Sequence, residues 1–258
     1  MIRLAEAEKR FHRGTADERA ALDGVSLDLA TGEFAVVIGS NGAGKSTLLN
    51  VIAGSEPLDA GTIEIDGTDV TRWPQHRRAR LVARVMQDPR LGTLPALTVE
   101  ENLALADMRA AGASFASALT RSRRARYAEA LAPFGLGLEA RLGARAAALS
   151  GGQRQVLALA MAVIAAPRVL LLDEHCAALD PKTAELVMAA TLHAIAAGGL
   201  TTLMVTHNMQ HAIRYGDRLL MMDGGRVLLD VAREEKARLT VDALVERFHL
   251  ADDKMLLA

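Results

Sequence analysis

The chain has 258 residues, of which 50% are hydrophobic and 3% aromatic, and its formal net charge is −1. This length suits one large domain or two small ones with a substantial apolar core. The near-neutral charge, without a long block of like charges, argues against a protein that coats nucleic acid. The single cysteine, Cys176, excludes an intrachain disulfide and fits a reducing compartment.

Neither a secretory signal nor a membrane span is expected. The segment from Met1 to His12 has no apolar core. The longest apolar run, Val156 to Ala166, is shorter than a bilayer requires and predicts a buried helix. We therefore expect a chain that is soluble by itself, so that any role at a membrane comes through a partner.

Strand signals dominate the first part of the chain. Val25–Leu29 alternates with period two, and a Thr31-Gly32 turn leads into Phe34–Ile38, which is apolar on both faces. A run of this second kind is typical of a central parallel strand. Ile63–Ile65, followed by Asp66-Gly67, predicts a short hairpin.

The pattern changes to helical between residues 88 and 149. Thr98 and Glu101 form a capping box that opens one helix, and Ala, Leu and Arg continue to Leu131. Glycine and proline punctuate residues 133–143. We interpret this stretch as a helical subdomain inserted between strands of a parallel sheet.

Sheet signals then return, as short buried runs separated by helical stretches, which is the βα alternation of a doubly wound sheet. The runs are Val169–Asp173, Thr201–Val205 and Arg218–Met222. Gly224-Gly225 predicts a terminal hairpin with Val227–Leu229, and the tail from Thr240 to Phe248 predicts a capped surface helix.

A glycine-rich loop joins the apolar strand to a helix predicted over Ser46–Ala53 and ended by Gly54. Glycines let backbone N–H groups surround phosphates, and the helix adds its positive end. Lys45 reaches the β and γ phosphates, and the Ser46 hydroxyl ligates Mg²⁺. A simple glycine-rich turn is the alternative, and the flanking strand and helix argue against it. The residues predicted to bind the nucleotide here are Gly39, Ser40, Asn41, Gly42, Ala43, Gly44, Lys45, Ser46 and Thr47.

Two carboxylates, Asp173 and Glu174, end the next strong strand. An aspartate in this place holds Mg²⁺, usually through water, and the adjacent glutamate accepts a proton from the attacking water. Carboxylates at a strand end are common, but the phosphate loop in the same chain favours the functional interpretation. Glu174 also indicates turnover rather than binding alone.

Ser150, Gly151, Gly152 and Gln153 open another predicted helix, with Ser150 as its N-cap. The two glycines leave backbone N–H groups open to an anion, and the helix dipole adds to the attraction. The alternative is an ordinary capped helix with a glycine-softened first turn. Two glycines are a poor choice if capping were the only task.

Together with the phosphate loop, the run Leu149–Gln155 makes the chain resemble the ATP-binding subunit of ABC transporters, from about Leu4 to Phe248. The resemblance implies an α/β fold, a P-loop NTPase (RecA-like) core with an antiparallel β subdomain and an inserted helical subdomain. It implies a single ABC ATPase domain over 1–258, with its parts as follows. The core is 1–87 and 167–240, the helical subdomain with the signature motif is 88–166, and the C-terminal helix or tail is 241–258.

The resemblance also implies roles for single residues. Ser150–Gln153 matches the signature motif, which in the family contacts the γ-phosphate of ATP bound to the opposite subunit. Gln87 matches the Q-loop residue that contacts Mg²⁺ and the lytic water. Asp180 matches the D-loop residue at the dimer interface. His207 matches the switch residue that forms a hydrogen bond with the γ-phosphate. The predicted catalytic residues are Glu174, His207, Gln87 and Lys45, and the predicted Mg²⁺ ligands are Ser46, Gln87 and Asp173.

Three further features leave alternatives open. Phe11 matches the aromatic that stacks on adenine and is predicted to bind the nucleotide, though tyrosine is commoner there and a core position is the alternative. Alkylation of Cys176, close to Glu174, is a hypothetical block to turnover, whereas buried cysteines are usually inert. The basic cluster Arg121–Arg126 fits a solvated helix face better than a nucleic-acid or lipid patch.

The implied function is the ATPase subunit of an ABC importer that binds ATP and Mg²⁺ and acts as a head-to-tail dimer, expected as a homodimer. Its groove around Gln87 to Asn102 would pass movement to an integral membrane permease, with an extracytoplasmic solute-binding protein as an indirect partner and no nucleic acid. We expect it on the cytoplasmic side of the inner membrane, as a peripheral subunit. Three runs resemble importer ATPases that pair with branched-chain-type permeases, some of which are linked to uptake of aromatic amino acids: Gly39–Gly42, Asp173–His175 and Thr206–Met209.

Two rival functions remain at this point. A soluble ABC ATPase of DNA repair or translation would have long coiled coils or two such domains in one chain. The insert between Gln87 and Leu149 is too short for the coiled coils of a repair protein. The single domain argues against a translation protein. A regulatory module that binds ATP without hydrolysing it would lack a base, yet Glu174 is present.

Overall fold

The computed structural model describes residues 1–111 and 120–246. The chain divides into two compact units. The first contains Met1–Arg78 and the chain from Thr201 onward, and the second contains Ala79–Leu200. The predicted helical subdomain, 88–166, falls within the second unit, and its bounds stay a prediction.

The described residues contain strands and helices in the order expected of alternating α/β structure. The strands are β1 (Ile2–Phe11), β2 (Arg19–Leu29), β3 (Phe34–Gly39), β4 (Ala60–Ile65), β5 (Thr68–Asp69), β6 (Val82–Val85), β7 (Val169–Asp173), β8 (Thr201–Val205), β9 (Arg218–Asp223) and β10 (Arg226–Ala232). The helices are α1 (Lys45–Ala53), α2 (Gln75–Arg78), α3 (Val99–Ala111), α4 (Arg121–Leu131), α5 (Gly151–Val163), α6 (Pro181–Gly198), α7 (Met209–Arg214) and α8 (Arg233–Ala237).

One sheet of the first unit is antiparallel, with strand order β2-β1-β4-β5. It confirms the predicted strand at Val25–Leu29 and the hairpin after Ile65. The sequence did not reveal β1, because its pairing register shifts between Leu4 and Ala7. Glu6 lies there with φ 47°, so the buried positions do not keep a strict period of two.

The other strands of the first unit lie in the order β10-β9-β3-β8. β3 is parallel to both β8 and β9, and β10 pairs antiparallel with β9. All residues of β3 are buried, as its apolar run predicted. The carboxyl ends of β3, β8 and β9 therefore meet at one edge, where the phosphate loop begins.

In the second unit β6 and β7 pair in parallel, and α3–α6 accompany them. The capping box at Thr98 is present: the Glu101 carboxylate accepts from the Thr98 N–H at 2.7 Å, and the Thr98 hydroxyl accepts from the Glu101 N–H at 3.2 Å. The predicted buried helix is α5, which begins at Gly151 and ends at Val163.

The helical signal that continued to Leu131 belongs to two helices, α3 and α4, with residues 112–119 outside the described residues. The basic cluster at the start of α4 is mostly exposed, which confirms a solvated helix face. Arg124 pairs with Glu100 at 2.8 Å and Arg126 with Asp107. In the predicted C-terminal helix, residues 241–246 are helical, and 247–258 lie outside the described residues.

Across 1–111 and 120–246 no helix combines the length and the apolar character that a membrane crossing requires.

Candidate active site

The phosphate loop connects β3 to α1 in a backbone conformation that needs glycine. Gly44 is the N-cap of α1 with φ 99°, and a Cβ on it would lie 2.2 Å from the carbonyl oxygen of Ala21. Gly42 also has a positive φ, 86°, but nothing lies within 4 Å of the place its Cβ would take. Asn41 and Ser46 are exposed. The outer side of the loop is thus open, while its inner side packs against β2.

Lys45 lies across the loop, and its side chain is buried. The ammonium donates to the carbonyl oxygen of Gly39 at 2.8 Å and to that of Ser40 at 2.7 Å. These bonds compensate for the burial of the charge and hold the two ends of the loop together. The predicted phosphate-binding lysine is therefore already in place beside the loop backbone.

Sequence reasoning missed Asp223, which ends β9. The Ser40 hydroxyl donates to Asp223 Oδ1 at 2.7 Å, and this bond fixes the first turn of the phosphate loop. The register places Gly39 beside Met222, so the following residues of both strands meet. A polar residue at a strand end was the available signal, but the pairing of β3 with β9 is not readable from local pattern.

Phe11 ends β1 opposite Arg19 of β2 and is half-buried. The Lys9 ammonium lies 5.4 Å and the Arg19 guanidinium 6.0 Å from the ring centroid. β2 continues to Ala21, whose carbonyl touches the phosphate loop at Gly44. Phe11 therefore lies near this loop, because it pairs with Arg19, and Ala21, two residues further along β2, contacts Gly44.

His207 follows β8 and is exposed. Its neighbour Thr206 donates its N–H to the carbonyl oxygen of Val37 in β3 at 3.1 Å. The Thr206 hydroxyl accepts from the Asn208 N–H at 3.0 Å, and Asn208 then caps α7. These bonds place the predicted switch histidine at the same sheet edge as the phosphate loop.

The second unit contains the remaining predicted groups. Gln87 lies just beyond β6 and is exposed, and the preceding carbonyl, of Met86, accepts from the Gln155 side-chain amide at 3.1 Å. This bond connects the segment after β6 to α5. Asp88 caps the short turn that follows, and hydrogen bonds from Arg90 lower the pKa of its carboxyl.

Asp173 and Glu174 lie at the end of β7, as predicted. Asp173 Oδ2 accepts from the Arg84 guanidinium at 2.5 Å, a pair the sequence did not reveal. Glu174 has φ 47°, a conformation that costs a non-glycine residue about 1–2 kcal/mol. Strain of this kind persists where the surroundings dictate the backbone, and it is common at catalytic positions.

The next residue, His175, anchors this strained turn. It is 2% exposed, and its Nε2 lies 3.0 Å from the Thr191 hydroxyl of α6. Thr191 gives its hydroxyl proton to the Val187 carbonyl at 2.8 Å. The histidine therefore donates from Nε2, and the turn carrying Glu174 is attached to α6.

The signature run forms the N-terminus of α5 with the predicted Ser150 cap. Ser150 Oγ accepts from the Gln153 N–H at 3.3 Å, and Gln153 Oε1 accepts from the Ser150 N–H at 3.2 Å. Ser150 and Gly151 are exposed. A Cβ on Gly152 would lie 2.2 Å from Thr183 Cγ2, so packing against α6 alone requires this glycine. Packing is thus a second reason for glycine at position 152, and the anion site at Ser150–Gln153 stays a prediction.

Asp180 and Cys176 occupy the turn before α6. The Asp180 carboxylate caps α6 by accepting from the Thr183 N–H at 3.1 Å. Hydrogen bonds from Thr183 lower the pKa of this carboxyl. Burial raises the pKa of the Cys176 thiol to about 12. The thiol is thus protonated at neutral pH, which favours the inert alternative over alkylation.

Residues 22–177 match the ABC transporter family. The chain belongs to this family. Among curated relatives of this ABC protein, it is 43% identical to the tyrosine transport ATP-binding protein of Clostridioides difficile (strain R20291), over 97% of the chain and 100% of the relative. It is 40% identical to the aliphatic sulfonates import ATP-binding protein SsuB of Ralstonia nicotianae, over 89% of the chain and 72% of the relative.

Solved ABC cassettes have the same fold. The ADP conformation of the ABC transporter cassette MJ1267 aligns with a TM-score of 0.79 and 27% identity, over 97% of the chain and 98% of that cassette. A dimeric post-hydrolysis state of the cassette MJ0796, bound to ADP and Pi, aligns with a TM-score of 0.76 and 29% identity. The alignment covers 90% of the chain and 98% of that cassette. These matches confirm the predicted P-loop NTPase fold, and the ABC chain is an ATP-binding ATPase subunit.

Proposed function

We propose that this ABC ATPase is the energy-coupling subunit of an importer for an amino acid, with tyrosine or another aromatic amino acid as the solute. The observation that carries the proposal is the 43% identity to a tyrosine transport ATP-binding protein along the full length of that relative. Similarity to sulfonate and methionine import proteins supports import, over shorter parts of those chains.

The phosphate loop binds the triphosphate of ATP in this proposal. The outer side of the loop is open. The Lys45 ammonium now donates to the carbonyl oxygens of Gly39 and Ser40, and on ATP binding it would donate to phosphate oxygens instead. Phe11 presents a half-buried ring for stacking on adenine. His207 donates to the γ-phosphate from the neighbouring strand end.

The donors predicted for Mg²⁺ fit a hard divalent ion. Ser46 supplies a hydroxyl, Gln87 an amide oxygen and Asp173 a carboxylate, and Mg²⁺ prefers oxygen ligands and keeps several waters. Ser46 and Gln87 are exposed, and Asp173 is at the carboxyl end of a parallel strand. When bound, the ion neutralises charge that develops on the phosphate oxygens.

Hydrolysis is assigned to Glu174, which accepts the proton of the attacking water. The φ of 47° and the attachment of the next residue to α6 hold this carboxylate on a stiff turn. Gln87 contacts the same water. The exposed N-terminus of α5, Ser150–Gln153, binds the γ-phosphate of ATP held by a second copy of the chain.

The permease is proposed to dock beside Gln87. Leu91 and Leu94 follow that residue and are 74% and 48% exposed, so apolar surface lies next to the glutamine. Docking there would connect the water-contacting glutamine to the membrane partner. The ATPase would then lie at the cytoplasmic face of the membrane as a peripheral subunit, with a solute-binding protein on the other side.

The proposal is tested by uptake of radiolabelled tyrosine in a strain that lacks this gene. Wild-type protein restores uptake, whereas Glu174→Gln does not, because the base is lost while ATP still binds. Glu185→Gln, an exposed acidic residue on α6, is the matched control and restores uptake.

Two results would contradict this function. Restored uptake of a solute that is not an amino acid, without any effect on tyrosine or another aromatic amino acid, rejects the amino acid assignment. Purification of the active ATPase without a membrane protein, from detergent extracts in which the permease is intact, favours the soluble repair or translation class instead.

A further inference from the structure

Arg84 and Asp173 form a charged pair inside two otherwise apolar strands. In the parallel register Arg84 of β6 lies beside Leu171, and Asp173 is two residues further on β7, on the same face. The Arg84 and Asp173 side chains are only 14% and 16% exposed. Nη2 of the Arg84 guanidinium lies 2.5 Å from Asp173 Oδ2.

This arginine is not explained by packing. The other residues of β6 that are buried are Val82, Ala83 and Val85, and β7 before Asp173 is fully buried and apolar. A charged side chain is rare at such a depth unless it has a partner. Because removal of one partner of a buried pair leaves a costly unpaired charge, Arg84 and Asp173 depend on each other.

We propose that Arg84 is a positioning residue of the metal site, which acts as the counter-ion of Asp173 whenever Mg²⁺ and nucleotide are not bound. The inference rests on the proposed function, since it takes Asp173 as a ligand of Mg²⁺ or of its water. The guanidinium neutralises the carboxylate through Oδ2 and also repels a divalent cation. Both effects weaken Mg²⁺ binding to Asp173, so that the metal binds only together with the negatively charged nucleotide.

The pair also has a consequence for release of the products. When Mg²⁺ and ADP leave, a buried carboxylate without a counter-ion would oppose their departure. Arg84 supplies that positive charge from within the same two strands. It therefore lowers the energetic difference between the loaded and the empty site.

The test is a Mg²⁺ titration of nucleotide binding in the Glu174→Gln protein, which does not turn over. A fluorescent ATP analogue is held at fixed concentration, and the half-saturating Mg²⁺ concentration is compared with and without changes at Arg84. Arg84→Gln and Arg84→Met both remove the charge, and Gln keeps a polar side chain whereas Met keeps an apolar one. Arg84→Lys keeps the charge and serves as the matched control.

We expect both neutral variants to lower the half-saturating Mg²⁺ concentration by roughly tenfold, because a repelling charge close to the ion is gone. Arg84→Lys should stay within about twofold of the parent, because its charge remains. Affinity for the analogue in EDTA should not change in any variant. A merely structural arginine would alter the melting temperature but would leave the Mg²⁺ dependence of the folded protein in place.

The outcomes separate the two proposals. If the parent binds the analogue with Mg²⁺ dependence but the neutral variants show the same or a higher half-saturating concentration, the role of Arg84 is wrong and the ATPase function stands. If the parent shows no Mg²⁺-dependent binding, the proposed function itself fails.

A second measurement needs no change at Arg84. Mn²⁺ is titrated into the nucleotide-free parent, and free Mn²⁺ is followed by electron paramagnetic resonance. We expect no saturable binding below about 1 mM, since Arg84 occupies the carboxylate. Saturable binding at micromolar Mn²⁺ would overturn the proposal even if the neutral variants did not fold.

Discussion

His175 donates its Nε2–H to the hydroxyl of Thr191, across 3.0 Å, and so ties the strained turn after β7 to the middle of α6. The Thr191 hydroxyl passes its own proton to Val187 of the same helix. Both residues are almost fully buried. The position of Glu174, one residue before His175, is thus set by a side chain that does not itself react.

Substitution of His175 should lower turnover more than nucleotide binding. His175→Ala leaves the Thr191 hydroxyl without its donor and opens space in the core, which costs about 2–3 kcal/mol. We expect ATPase activity to fall about tenfold, because a base displaced by less than 1 Å loses most of its efficiency. ATP affinity should stay near that of wild type, since the phosphate loop is in the other unit.

The matched variant is His175→Gln, whose amide nitrogen reaches about as far as Nε2. It should recover most of the melting temperature and of the turnover. Thermal unfolding, steady-state ATPase and fluorescent-ATP binding are the measurements. Equal loss of ATP binding and turnover in His175→Ala would contradict a role confined to the Glu174 turn.

Glycine in place of Glu174 should stabilise the fold and abolish turnover. Its φ of 47° is unfavourable for glutamate but not for glycine, so Glu174→Gly should raise the free energy of unfolding by about 0.5 kcal/mol and abolish turnover. Glu185→Gly, at an exposed position in the N-terminal part of α6, should instead cost about 1 kcal/mol and keep turnover. Chemical denaturation of both variants checks the signs, and destabilisation by Glu174→Gly would argue against backbone strain.

Ser150→Arg should abolish turnover while ATP binding to the chain stays near normal. In the proposed dimer the exposed start of α5 contacts the ATP of a second copy, where a long cation would prevent closure on the γ-phosphate. The lost N-cap adds about 1 kcal/mol of destabilisation. Thr120→Arg, which removes the equivalent cap of α4, is the control and keeps turnover.

Equilibrium binding of labelled ATP and steady-state hydrolysis decide this prediction. Loss of ATP binding in Ser150→Arg would show that the N-terminus of α5 serves the nucleotide of its own chain. Cross-complementation provides a second check: a mixture of Ser150→Arg and Lys45→Ala proteins should form dimers with one intact site and recover part of the activity.

Packing against α6 should account for the need for glycine at position 152. Gly152→Ala places a methyl group 2.2 Å from Thr183 Cγ2, which we expect to cost about 2 kcal/mol. The double variant Gly152→Ala with Thr183→Ser removes that methyl group of Thr183 and should restore both stability and turnover. A double-mutant cycle on melting and ATPase measures this coupling, and failure of turnover to return would assign Gly152 to phosphate binding.

Lys236 should make stability rise with pH in the alkaline range. It is 3% exposed and donates to the carbonyl oxygens of Tyr215 and Gly216, and burial lowers its pKa from 10.5 to about 8. Between about pH 8 and 10.5 the unfolded chain binds a proton that the folded chain has released. The free energy of unfolding therefore increases with pH across this window.

Lys236→Met removes this contribution, so its stability should be flatter than that of wild type over the same window. Lys182→Met, at an exposed position of α6, should follow the wild-type slope. Urea denaturation at a series of pH values gives both slopes. Parallel pH profiles for wild type and Lys236→Met would show that Lys236 titrates near its ordinary value.

Local signals predicted most of the helices and strands. They also predicted the phosphate loop after β3 and the signature run at the start of α5. β3 and α1 were readable because an apolar run, a glycine loop and a closing glycine follow one another within a few residues. The caps at Thr98 and Ser150 were readable for the same reason, since each bond spans three residues. β1 was missed because the bulge at Glu6 breaks its alternation.

The sequence by itself determined the phosphate-loop conformation and the helix caps, because glycine geometry and capping bonds depend on neighbours along the chain. The tertiary structure decided which distant residues support them. Arg84 reaches Asp173 across 89 positions and Ser40 reaches Asp223 across 183. These pairs depend on strand register, and that register is set by the packing of whole elements rather than by any local pattern.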